Sequence, residues 1–199
     1  MIKVSLRSNN RMMIATIAFI ILSIALFYVR FNYIIISRLN YYAWSISLEL
    51  IYLLLLIYLV SILTLFREKL SISTAVTMYL CIDTMTFITT EWPRIIPAYG
   101  IGAALGILTL IIYIYLLVQL FKVKNRYVAL PFKLFGFSFL ILALFKFLFA
   151  LTFPLTAHIY EVEYSGILTL LTPLSILYVL KMVDSFIKGQ NIQNTTTAV

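Results

Sequence analysis

TMYLCIDTMTFITTEWPR, residues 77–94, has the apolar content of a membrane-spanning helix but carries a carboxylate, Asp83, inside it. Moving an Asp, Glu or Lys to the centre of a span costs about 2.5–3.5 kcal/mol on insertion scales, so the group needs a compensating environment. The stretch therefore makes two demands, a bilayer around it and a polar interior beside Asp83.

Composition supports the first demand. Apolar residues make up 63% of the 199 and charged residues 11%, too few to give a soluble domain its polar surface. The net charge of +8 would suit nucleic acid, but the Lys and Arg residues lie between apolar runs, where basic residues mark membrane orientation. The lipid bilayer is therefore the expected partner and nucleic acid is not. A single cysteine, Cys81, excludes an intrachain disulfide or two-cysteine relay, and a single histidine, His158, excludes haem held by two histidines. With no HExxH motif either, no cofactor is expected.

Six stretches approach the roughly 20 apolar residues that span a bilayer as a helix: 13–33, 42–66, 71–90, 100–121, 132–153 and 165–184. The first follows Lys3, Arg7 and Arg11 as a signal peptide would, but is read as a first membrane helix. Backbone groups in lipid must be satisfied within the segment, and no alternating pattern suggests a barrel. Eleven of the fifteen basic residues fall at the N-terminus, in the second and fourth connections and at the C-terminal end. The positive-inside rule then predicts an all-α, multi-pass bundle of six transmembrane helices in the plasma membrane, with both termini cytoplasmic. Residues 1–188 form its one domain, and the polar tail 189–199 is expected to be disordered. GILTL recurs at 106–110 and 166–170, which shared membrane composition explains without a duplication.

Three acidic or lysine residues fall near the centre of spans. Glu49 is seven residues from Tyr42, Asp83 seven from Thr90 and Lys146 seven from Phe153. At 1.5 Å per residue all three lie roughly 10 Å below the outer boundary. This shared depth predicts a cluster in which Lys146 pairs with a carboxylate, either as a salt bridge fixing helix packing or as a functional site. Around it, Ser45, Glu49 and Tyr52 make a polar stripe at helical spacing. The third segment carries Tyr79, Asp83, Thr86 and Thr90 on one face and Ser73, Thr77, Cys81 and Thr84 on another, which predicts a place in the middle of the bundle. Membrane threonines also bond back to their own helix, the blander account of these hydroxyls.

Other features read as architecture. Gly102 and Gly106 permit close helix contact, Pro173 interrupts the sixth segment, and the phenylalanines of the fifth segment are expected to meet lipid and neighbouring helices. Glu91, His158, Glu161 and Glu163 add mostly acidic chemistry on the outer side.

The ligand-binding set expected from these patterns is Glu49, Asp83, Lys146, Tyr79, Thr86 and Tyr52, with no catalytic or metal-ligating residue assigned. The function expected is a transporter or solute-binding protein whose outward-facing ionisable cavity takes a small cationic or amine-bearing solute or a proton. Two alternatives stand beside it: a membrane sensor, pore-forming or accessory subunit, with a second copy or a membrane protein as partner, and a lipid-acting hydrolase using Glu49 and Asp83.

Overall fold

The computed structural model describes the backbone of residues 2–32, 38–91, 98–152 and 168–196, and the side chains of 2–29, 32, 40–88, 107–142, 144–145 and 168–189. These residues form six helices: α1 (Leu6–Phe31), α2 (Arg38–Leu65), α3 (Leu70–Glu91), α4 (Ala98–Phe121), α5 (Ala129–Thr152) and α6 (Leu171–Thr196). Three of them contain stretches long and apolar enough to cross a membrane, Leu6–Val29, Asn40–Leu65 and Leu70–Ile88. Shorter apolar stretches, Ile107–Phe121 and Ala129–Leu142, lie in α4 and α5. The exterior agrees with a lipid environment, for Ile14, Ile21, Leu54, Ile111, Ile114 and Leu144 are all at least 50% exposed.

Local signals set the helix ends. Ser5 caps α1: its Oγ accepts from the Ser8 N–H at 3.2 Å while Ser8 Oγ accepts from the Ser5 N–H at 2.8 Å, a capping box with serine in the usual place of Glu or Gln. The helix thus begins at Leu6, before the apolar run that marks the span in sequence. After α2 the Glu68 N–H donates to the Leu63 carbonyl and the Arg67 N–H to the Thr64 carbonyl, a Schellman turn with Arg67 at φ 52° where glycine is usual. Asn125 shapes the α4–α5 connection, its Oδ1 accepting from the Tyr127 N–H at 3.0 Å. Pro131 then falls in the first turn of α5, where no intrahelical donor is needed.

Leu168 and Thr169 are helical and Leu170 is a turn, so the sixth segment is broken just ahead of α6, with Pro173 in that helix's first turn. The proline's missing N–H is lost where helical donors are unpaired anyway. At its other end α6 runs through Gly189 to Thr196, into the stretch expected from sequence to be a disordered tail.

Each helix packs on its neighbours in sequence, and α1 packs on α6, which closes the six into a ring. Specific contacts join the staves. Ser8 and Tyr58 hydroxyls meet at 3.2 Å between α1 and α2, and Tyr52 and Tyr79 hydroxyls at 2.9 Å between α2 and α3. Ser71 donates to Gln119 at 3.2 Å between α3 and α4, and Ser138 and Thr172 meet at 3.2 Å between α5 and α6. Asn9 Nδ2 donates to the Leu180 carbonyl at 2.9 Å between α1 and α6. Between α4 and α5 the device is Gly136, where an added Cβ would stand 3.3 Å from Leu117 Cδ1. A ring leaves no central position, so the expectation that α3 lies in the middle of the bundle is corrected: α3 is one stave among six.

The ring is filled unevenly. Leu55–Leu63 of α2, Ile72–Val76 of α3, Leu116–Val123 of α4, Val128–Phe135 at the start of α5 and Ile176–Val183 of α6 supply most of one continuous buried core. All of these lie toward the end that carries the α2–α3 and α4–α5 connections. At that end Glu68 Oε1 accepts from the Lys124 and Asn125 N–H groups at 3.1 and 2.7 Å, tying one connection to the other. The N-terminal segment crosses beneath, with the Ile2 N–H donating to Ser61 Oγ at 3.2 Å.

Candidate functional site

Where the core ends, the ring encloses a cavity of about 340 Å³ lined from all six helices. α2 contributes Ser45, Leu48, Glu49 and Tyr52, and α3 contributes Tyr79, Asp83 and Phe87. Phe19 comes from α1, Tyr113 from α4, and Phe139 and Leu142 from α5. Thr169, Thr172 and Pro173 stand at the broken entry to α6. Steps of three and four along α2 and α3 aim each polar stripe at one space, which is how two separate local patterns come to share a wall.

Tyrosines make the floor. Tyr52 and Tyr79 are buried, their hydroxyls share the 2.9 Å bond, and their rings meet edge to face at 6.5 Å between centroids. The Tyr79 hydroxyl lies 3.5 Å from Asp83 Oδ1, a long hydrogen bond one turn further along α3. When Tyr79 donates to Asp83, the remaining bond requires Tyr52 to donate to Tyr79, which gives a directed Tyr52–Tyr79–Asp83 chain. Phe19 stacks on Tyr52 at 5.7 Å, and Tyr79 lies 5.4 Å from Tyr113 and 4.9 Å from Phe139.

Glu49 faces the same space. Its Oε1 is buried and has no hydrogen-bond partner among the described residues. A buried carboxylate oxygen without a partner carries its desolvation cost uncompensated, so it is the polar atom of the cavity with the most to gain from a ligand. Two carboxyl groups inside an aromatic enclosure can hold a cation by charge and by ring faces together.

Of the residues expected from sequence, Glu49, Asp83, Tyr52 and Tyr79 line the cavity. Thr86 does not; its hydroxyl donates to the Ile82 carbonyl at 2.8 Å, the back-bonding that intramembrane threonines favour. The side chains of Lys146 and Thr90 lie outside the described residues, as do the surroundings of Gly102 and Gly106, and so do His158, Glu161 and Glu163 entirely. The second polar face of α3 turns away from the cavity: Thr77 and Cys81 are exposed, and the Ser73, Thr77 and Thr84 hydroxyls donate to carbonyls of their own helix. Asp184 pairs with Lys188 at 2.6 Å, near the far end of α6.

Phe19, Tyr113, Phe139 and Thr172 were not singled out from sequence as site residues. Phe19 and Tyr113 are each one cavity-facing position on an apolar helix, and Phe139 faces it with Leu142, so no polar stripe marks them; Thr169 and Thr172, a step of three apart, are the one signal that could have been read. Phe132, Phe135 and Phe139 of α5 are buried, while Phe137 is exposed, so this aromatic helix divides between the bundle interior and the surface. Among the described residues no group of three His, Cys, Asp or Glu side chains is placed to hold a metal ion.

These features define a class, a helical bundle with apolar exterior spans and an internal carboxylate-bearing cavity. The chain matches no protein-family model, no curated protein and no solved structure.

Proposed function

We propose that the chain is a multi-pass protein of the plasma membrane, with six spans and both termini cytoplasmic, that binds a small cation or amine-bearing solute in the six-helix cavity for transport. The orientation rests on the basic residues, which concentrate at the end of the bundle where the core is packed. The cavity then lies in the outer half. The observation that carries the ligand class is the buried, unpartnered Oε1 of Glu49 in the same aromatic-walled space as Asp83. A packed core beneath the Tyr52–Tyr79 floor favours a binding cavity over an open pore.

The test uses the full chain in lipid nanodiscs, with melting temperature followed against sodium, potassium and methylammonium. Saturating ligand at about ten times its Kd adds roughly 1.4 kcal/mol, a shift of a few degrees. The expected result is a shift with at least one of these cations that disappears in Glu49→Gln and in Asp83→Asn while both variants remain folded. Absence of any shift in the wild type would remove the cation-site reading. Uptake into proteoliposomes separates transport from sensing, and reporters placed after Val199 and near Glu161 should fall on opposite sides of the membrane.

A further inference from the structure

A second hollow lies on the outside of the ring, between α4 and α5. It measures about 240 Å³ and is walled by Leu110, Ile114, Leu117, Leu140 and Leu144, together with Tyr113 and Phe139. Those last two also line the central cavity. Their rings stand 5.7 Å apart and tilted at 59°, so a single pair of aromatic side chains separates the carboxylate-bearing interior from an apolar groove. At the rim Ile114 and Leu144 are more than half exposed, on helix faces that meet lipid in a membrane.

Resting on the cation-binding reading, we infer that Tyr113 and Phe139 form a side portal and that the solute is an amphipathic amine, with its ammonium group at Glu49 and Asp83 and its alkyl tail in the α4–α5 groove. The groove alone would offer a hydrocarbon no advantage over the bilayer, since lipid is as apolar as leucine. Continuity with a charged cavity changes this, because the ammonium end has a reason to enter and the tail then needs apolar room beside it. The partition is movable: tyrosine and phenylalanine rotate about two side-chain torsions without breaking backbone hydrogen bonds. Gly136 brings α5 close to Leu117 below the portal, which anchors the seam there and leaves the side chains above it to yield.

The experiment compares methylammonium with octylammonium on the full chain in nanodiscs, correcting free octylammonium for its uptake by empty nanodiscs. Wild type should bind octylammonium roughly tenfold more tightly, a modest share of what burying seven further carbons could supply. Ile114→Trp and Leu144→Trp, each filling the groove from one rim, should remove that preference and leave methylammonium binding unchanged. Two rim variants on different helices guard against a folding defect in either. A preference that survives both variants would overturn the portal and leave the cation site standing. Equal binding of the two amines by wild type would do the same, and would point to a groove held by a lipid chain. Failure of wild type to bind either amine would overturn the portal, and the cation site would fall with it only if sodium and potassium also give no shift.

Discussion

The two halves of the bundle use the same six helices in opposite ways. Toward the α2–α3 and α4–α5 connections, Leu56, Tyr58, Leu59, Ile62, Phe132, Phe135 and Leu180 have no solvent exposure, and cross-bonds from Glu68, Asn9 and Ile2 brace the end. Toward the other end the rings of Phe19, Tyr113 and Phe139 leave about 340 Å³ unfilled around Glu49 and Asp83. Close packing is the condition protein interiors normally reach, so an unfilled half with carboxylates in it is a costly arrangement, and one a binding site requires. Rigidity at one end holds the helices while space at the other receives a ligand.

Substitutions that treat the halves alike would break this contrast. The largest effect is expected for Phe135→Ala, which empties a fully buried ring position and should cost about 3–5 kcal/mol, whereas Leu142→Ala at the cavity wall should cost less than about 1 kcal/mol because the space beside it is already open. Comparable losses in the two variants, measured by denaturation in the same detergent, would show that both halves are equally packed. Next comes Glu68→Ala. It removes the acceptor shared by the exposed Lys124 and part-buried Asn125 N–H groups and should destabilise by about 1–2 kcal/mol, with Glu68→Gln recovering most of the loss.

Smaller effects sharpen the comparison. Tyr79→Phe keeps the ring contacts and removes the hydroxyl between Tyr52 and Asp83, for an expected loss of about 1 kcal/mol. If that substitution leaves stability unchanged yet weakens cation-induced stabilisation, the tyrosine chain serves the ligand more than the fold. The smallest expected change is a gain: Arg67→Gly relieves a left-handed conformation at the Schellman turn and should raise stability by roughly 0.5 kcal/mol. A loss there would mean that the arginine side chain contributes more than its backbone strain costs.

Much of the site could be read one helix at a time. Ser45, Glu49 and Tyr52 recur at steps of four and three, Tyr79 and Asp83 at a step of four, and equal distance from the ends of the apolar segments 42–66 and 71–90 set Glu49 and Asp83 at one depth. They do share a cavity. Thr86 followed the same periodicity and does not line that space, since periodicity gives a face some width and a threonine can satisfy its hydroxyl on its own helix. Spans counted by apolar content also missed the capped, polar first turns of α1, because a bilayer-length criterion is blind to a Ser5–Ser8 cap.

The sequence by itself determined that the chain is helical and apolar enough for a membrane, because backbone groups have no other partners in lipid and the composition leaves no polar surface. It also placed costly carboxylates on α2 and α3. Only the tertiary structure decided which of the two polar faces of α3 turns inward, because hydroxyls bonded back to their helix are satisfied on either side. Only it could close α1 on α6 and bring Phe19, Tyr113, Phe139 and Thr172 around Glu49, for these lie on four different helices and no local period connects them.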